Sequence, residues 1–305
     1  MRQIFVLFLM LVSLLAYTSC SKDEESKPVT VVTEDYLPYG FADVCEIIGL
    51  NKDLFYEESG AVTTFEDKIV LAAVRKADNK LFVTVYDEAK KVVLFQNTDF
   101  SVEVSFKRNY YEDIYTYKLQ RVIPVLCTTE EGFIIVANAQ YNAEEASVSK
   151  FYNYAFFNDG KTTRTEKFET DCFISPEKWF KNSCLLCKGG GSGCMCYTDK
   201  GEQILAGGTI RNIDSSVPIS YTEYICFGDA YNFRITKRNL NSALSVWETE
   251  LNIVENQSES MKTTYSIINK SENMWIVQCK AVSMDGSTQN VQFNLNIDTG
   301  DYTIL

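Results

Sequence analysis

From Lys68 onward the chain is written in short apolar runs broken by polar turns. Lys68 to Lys76 is almost continuously apolar, the pattern of a strand covered on both faces. Ala77-Asp78-Asn79-Lys80 interrupts it as a turn. Leu81, Val83 and Val85 then alternate with other residues up to Tyr86, and Asp87-Glu88-Ala89-Lys90-Lys91 is a second turn before the apolar run Val92 to Gln96. A period of two in β-branched and aromatic residues, punctuated this way, predicts an antiparallel meander. Upstream, within residues 40–57, Ala42 to Ile48 predicts one short helix.

The same grammar returns along the chain. Ala155-Phe156-Phe157 precedes the turn Asn158-Asp159-Gly160-Lys161, and Met195-Cys196-Tyr197 precedes Thr198-Asp199-Lys200-Gly201. Arg234-Ile235-Thr236 leads through Asn239-Leu240-Asn241-Ser242 to Ser245-Val246-Trp247-Glu248. Phe293-Asn294-Leu295 leads to Asp298-Thr299-Gly300-Asp301. With Asp87, Asp159, Asp199, Asn241 and Asp298 as anchors, the gaps are 72, 40, 42 and 57 residues. Two of them match the ~40–45-residue period of a four-stranded propeller blade, and the first leaves room for an insertion or an atypical extra blade.

On this rhythm residues 60–305 look like the divergent β-propellers common among secreted and surface lipoproteins. The resemblance implies an all-β, β-propeller-like domain of five or six blades. A β-sandwich, or two stacked β domains, is the alternative, because its turns also recur every ~8–12 residues. The chain has no Gly-His and Trp-Asp pair in register and no kelch double glycine.

The N-terminus is of a different kind. Arg2 is followed by the apolar run Ile4 to Ala16, interrupted only by Ser13, and then by the small residues Thr18 and Ser19. The run falls short of the ~20 apolar residues a membrane span needs, and it reads as a cleaved secretory leader. Tyr17-Thr18-Ser19-Cys20 resembles a bacterial lipobox in relaxed form, with Tyr17 where an aliphatic residue is usual. Ser21-Lys22-Asp23-Glu24-Glu25 resembles the acidic export signal of Bacteroidota-type surface lipoproteins. Together they imply residues 1–19 as a signal peptide, acylation of Cys20, and export directed by Lys22, Asp23, Glu24 and Glu25. Residues 20–34 then form a polar tether that reaches ~50 Å when extended, and residues 35–305 a single β-rich domain. The expected location is the outer membrane, lipid-anchored and facing the cell exterior.

Composition narrows the chemistry. A net charge of −12, from 29 basic and 41 acidic residues, argues against nucleic acid and against anionic lipid as partners of the domain itself. Histidine is absent. This excludes Ser-His-Asp and Cys-His nucleophiles, His-bearing zinc sites and the usual proton shuttle near neutrality. Beyond Cys20, nine cysteines remain, an odd number that leaves at least one thiol free. Most lie in apolar strand-like runs, and buried free thiols are the expectation for the majority.

The densest cluster is Cys184-Leu185-Leu186-Cys187, then Lys188 to Gly193, then Cys194-Met195-Cys196. Four thiolates would suit tetrahedral zinc. If the glycines close a hairpin, however, Cys187 faces Cys194 and Leu185 faces Cys196. Cys184 then points away from the other three, because side chains alternate faces. No metal and no cofactor is expected, and a Cys187–Cys194 cross-strand disulfide is the minor alternative. The glycine run lacks the Gly-Lys-Ser/Thr of a phosphate loop.

A second cluster, Asn109 to Tyr117, carries Tyr115 and Tyr117 on one strand face near carboxylates. Aromatic faces beside carboxylates suit saccharides, so these two tyrosines are the candidate ligand-binding residues. Glu57-Glu58, Glu130-Glu131 and Glu144-Glu145 read as solvated loop charge, and Asp159-Gly160 and Asp285-Gly286 as turns. No catalytic residue is assigned. The function expected is noncatalytic binding of a glycan, peptide or partner protein. The alternatives are a carboxylate- and tyrosine-dependent glycan hydrolase or lyase, and a structural accessory of an outer-membrane complex.

Overall fold

The computed structural model describes residues 40–305 except 111–112, 169, 171, 189–192, 209, 211–214, 229–232, 243, 256 and 259. The leader, Cys20, the Lys22–Glu25 stretch and the tether lie outside the described residues.

The predicted helix is α1, Phe41–Ile47. Asp43 Oδ2 accepts the Gly40 backbone N–H at 2.8 Å and satisfies one orphan donor of the first turn. Val44 and Cys45 are buried. Phe41 meets Phe55 edge to face at 6.0 Å, and Phe55 leans on Phe82 at 5.3 Å.

Every other long element is a strand, and the strands form five antiparallel sheets in which neighbours in sequence are neighbours in space. Sheet one holds β1 (Ala61–Phe65), β2 (Lys68–Val74), β3 (Leu81–Asp87) and β4 (Val92–Asn97). Sheet two holds β5 (Ser105–Tyr110), β6 (Asp113–Thr128), β7 (Phe133–Ala143), β8 (Ser149–Asn158) and β9 (Thr163–Phe168). Sheet three holds β10 (Ile174–Lys178), β11 (Ser183–Lys188), β12 (Cys194–Thr198) and β13 (Gln203–Gly208). Sheet four holds β14 (Ser216–Pro218), β15 (Glu223–Phe227), β16 (Arg234–Asn239) and β17 (Ser245–Glu250). Sheet five holds β18 (Lys262–Lys270), β19 (Met274–Val282), β20 (Thr288–Asn296) and β21 (Tyr302–Ile304).

This is an all-β, propeller-like succession of five blades, as the turn rhythm predicts. Each anchor residue marks the last hairpin turn of one sheet: Asp87 before β4, Asp159 before β9, Asp199 before β13, Asn241 before β17 and Asp298 before β21. The 72-residue first gap is not an extra blade. It holds a fifth strand and the unusually long β6, β7 and β8.

Period-two alternation lets each inner sheet bury both faces. Val70, Ala72, Val83 and Val85 of sheet one pack on Ile135, Ala137 and Phe156 of sheet two. Ile134, Val136 and Phe157, on the other face of sheet two, meet Cys184, Leu186 and Tyr197 of sheet three. Leu185 and Cys196 then meet Tyr224 and Cys226, and Ile225 and Ile235 meet Val277 and Phe293 of sheet five. The far face of sheet five is polar: Thr264, Ser266, Gln278, Lys280, Asn290, Gln292 and Asn294 are exposed or half-buried. Among the described residues no core cluster or hydrogen bond joins sheet five to sheet one.

Two polar locks cross the apolar seams. Thr63 Oγ1 donates to the Pro124 carbonyl at 2.7 Å, joining β1 to β6. Pro124 has no N–H to donate, and β6 is unpaired by β5 at that point, so the ring is accommodated. The buried amide of Asn138 pairs with both backbone groups of Ile174 and ties β7 to the start of sheet three.

Candidate functional site

The feature that departs from the four-stranded repeat is the β5–β6 hairpin. β6 runs for 16 residues. Its partner β7 covers Tyr117 to Thr128, while β5 covers only Asp113 to Lys118. The hairpin therefore extends sheet two beyond its shared core. Ile114 at its end is 67 % exposed.

Tyr115 is half-buried beside it, and its hydroxyl donates to Asp113 Oδ2 at 3.3 Å. Partial burial pushes the Tyr115 phenol up, and the charges of Asp113 and Glu145 push it further. The β7–β8 loop buttresses the hairpin. Glu145 Oε2 accepts the Thr116 N–H at 3.3 Å, the Glu144 N–H donates to the Thr116 carbonyl at 3.0 Å, and Glu144 forms an ion pair with Lys118. Ring and carboxylates thus share one face of the protrusion, and Ile114, between Asp113 and Tyr115 on the strand, points to the opposite face. Such a surface can stack on a sugar face or seat an apolar side chain of a partner, with carboxylates to accept hydrogen bonds.

The two candidate tyrosines have different fates. Tyr117 lies on the same strand face as Tyr115 but is fully buried, stacked on Phe106 at 5.3 Å within the core of sheets one and two. It is a packing residue, which corrects its assignment as a ligand platform. Tyr117, Leu119 and, after a bulge, Val122 form the buried row of β6. Tyr110, Tyr111 and Glu112 of the same cluster contribute no described side chain.

The four-cysteine hairpin forms in the expected register: Cys187 opposite Cys194, Leu185 opposite Cys196 and Cys184 opposite Tyr197. Cys184 belongs to the core with sheet two, and Cys187, Cys194 and Cys196 face sheet four. Burial pushes the Cys187 and Cys196 thiols up to about 12 and raises Cys194, which makes them poor nucleophiles and poor metal ligands. Most of the nine cysteines from Cys45 onward are buried, and Cys187, Cys194 and Cys196 are free thiols. A depression of about 410 Å³ lies beside this hairpin, lined by Lys188, Gly193, Cys194, Met195 and Ala206 to Gly208. Lys188 is the charged residue among its described lining.

Among the described residues Asp87 and Asp199 are buried carboxylates with one oxygen lacking a hydrogen bond, and Asp87 Oδ2 is ion-paired with Lys90 at 3.0 Å. Asp199 is fully buried, and its Oδ2 accepts from Thr129 Oγ1 at 2.7 Å, while Oδ1 has no hydrogen-bond partner among the described residues. Burial raises its carboxyl, the Thr129 bond opposes the rise, and the charges of Glu131 and Asp159 add to it. Its position is a latch between the last turn of sheet three and the β6–β7 turn. Glu130-Glu131 and Glu144-Glu145 lie in loops and Glu57-Glu58 in a single helical turn. Asp159 and Asp285 accept backbone N–H groups of their own turns.

Sequence reasoning named Asp113 and Ile114 only as members of the Asn109 to Tyr117 cluster and Glu145 only as loop charge, and it did not find the burial of Asp199. The excess length between the first two anchors was the available signal for the hairpin.

No protein-family profile matches the chain, and no curated protein matches it. Among solved structures it is similar to Hsv2 of Kluyveromyces lactis with complete loop 6CD, at 9 % identity and a TM-score of 0.30, over 82 % of this chain and 86 % of that one. It is similar to the WD40 domain of SCAP from fission yeast at 9 % identity and a TM-score of 0.24, over 82 % and 70 %. A post-proline cleaving enzyme from Rickettsia typhi matches at 9 % and 0.32, with 87 % of this chain aligned to 46 % of that one. At these scores the fold assignment rests on the sheet order, not on the likenesses.

Proposed function

We propose that this chain is a lipid-anchored protein of the cell envelope, displayed at the surface, that binds an extracellular glycan, peptide or partner protein without transforming it. The observation that carries the binding reading is the β5–β6 hairpin. It extends sheet two beyond the four-stranded repeat seen elsewhere among the described residues, and it presents half-buried Tyr115 beside Asp113 and Glu145 on one face and exposed Ile114 on the other. Binding residues concentrate on segments positioned by a rigid scaffold. The anchoring reading rests on the leader, Cys20 and the acidic stretch that follows.

The absence of histidine weighs against catalysis near neutrality. So does the state of the two aspartates that are fully buried among the described residues, since Asp87 is ion-paired with Lys90 and Asp199 is bonded to Thr129. The glycan version is favoured by the Tyr115–Asp113 pair, a ring beside a hydrogen-bonded carboxylate. The test is a screen of glycans and peptides against the purified domain, with product analysis of each bound species.

A further inference from the structure

Cys127 on β6 and Cys184 on β11 belong to different sheets and stand 57 positions apart, yet their Sγ atoms lie 2.8 Å from each other. Nonbonded heavy atoms rest about 3.5–4.0 Å apart, so the two sulfurs are closer than packing alone would hold them. Both residues are buried, at 3 % and 0 % exposure, among Ile134, Val136, Ala155, Phe157 and Leu186. We infer that Cys127 and Cys184 close a disulfide bond that clamps sheet two to sheet three. The register assigns Cys184 to the opposite face from the other three, and Cys127 is what it meets there.

The chemistry requires an oxidant, and a small or protein disulfide supplies it. One cysteine thiolate attacks a sulfur of the oxidant, which releases one thiol and leaves a mixed disulfide. The second thiolate attacks the protein sulfur of that mixed disulfide, which forms the Cys127–Cys184 bond and releases the second thiol. The two protons lost by the protein thiols end on the two thiols released from the oxidant. In the closed fold, hydrogen bonding to Cys127 and burial hold the Cys184 thiol protonated, with the charges of Cys127, Cys196 and Asp199 acting in the same direction. Oxidation therefore precedes closure of the seam, and the finished bond is shielded from reductant. An exported chain meets a disulfide-forming environment.

The inference is independent of what the hairpin binds. It is tested on the full chain refolded in a mixture of reduced and oxidised glutathione, then denatured without reductant, alkylated and mapped by peptide mass. The expected result is a Cys127 peptide joined to the Cys184 peptide, with neither residue alkylated. The joined species should survive dithiothreitol in the native protein and disappear when denaturant is added first. Reduction in denaturant followed by refolding under reductant should lower the thermal midpoint by roughly 5 °C or more. Alkylation of both residues in most molecules of natively folded protein would overturn the inference, as would Cys184 joined to Cys187 or Cys194.

Discussion

The Asn138 side chain completes the backbone of Ile174: its Oδ1 accepts the Ile174 N–H at 2.8 Å and its Nδ2 donates to the Ile174 carbonyl at 3.1 Å. The two residues are on different sheets, and both are fully buried. An amide acting as a strand partner lets β10 begin within an apolar seam without orphaned backbone groups. Asn138→Leu keeps the volume and removes both bonds. It should cost about 2–4 kcal/mol, since two buried backbone groups lose their partners. Urea denaturation measures this, and a change below about 0.5 kcal/mol would place the lock elsewhere.

Asp199 makes stability pH-dependent in an unusual direction. Its carboxyl is raised from 3.8 in the fold, chiefly by burial. Between 3.8 and the folded value the native state holds a proton that the unfolded chain has released. This contribution to stability is fully present below 3.8 and is lost as pH rises through the folded value. Asp199→Asn removes the ionisable group while keeping the shape. Relative to wild type, the variant should gain stability as pH rises from about 4 to 7. Denaturation midpoints that stay parallel across that range would contradict the buried-carboxyl reading.

Gly132 is held by the same lock. Its N–H donates to Thr129 Oγ1 at 2.9 Å, and that hydroxyl donates in turn to Asp199. A Cβ at this position would lie 1.8 Å from the Asn158 carbonyl oxygen, which is backbone and cannot rotate away. Gly132→Ala should therefore cost about 1–3 kcal/mol or more through overpacking. A wild-type melting temperature for the folded variant would show that the β6–β7 and β8–β9 turns approach less closely than described.

The sequence carried more of the fold than of the site. Five polar turns named from spacing are the five last turns of the sheets, because turn residues and period-two alternation are local properties of the chain. The hairpin register that splits Cys184 from Cys187, Cys194 and Cys196 was legible for the same reason. Tyr117 shows the limit. On its own strand it alternates like Tyr115, and only the meeting with Phe106 and the core of sheet one decides that it is buried. Cys127 and Cys184 show it again, since a contact across 57 positions leaves no local trace.

Location is tested separately from binding. Cys20→Ala should yield unacylated protein, because the thiol is the proposed acylation site. Replacing Lys22, Asp23, Glu24 and Glu25 with alanine should protect the protein from protease added to intact cells. Equal digestion of wild type and variant would refute the export-signal reading.

The central claim is that the β5–β6 hairpin binds an extracellular ligand that the protein does not transform. The most direct measurement is a glycan and peptide screen with wild type and the double variant Ile114→Ser, Tyr115→Ala, both checked for native folding. The account predicts a hit that is recovered intact and weakened roughly tenfold by the double change, in line with one lost aromatic stacking contact of about 0.5–1.5 kcal/mol and the loss of an exposed aliphatic side chain. Steady release of a cleaved product, abolished by one Asp or Glu substitution, would contradict it, as would binding that is unchanged in the double variant.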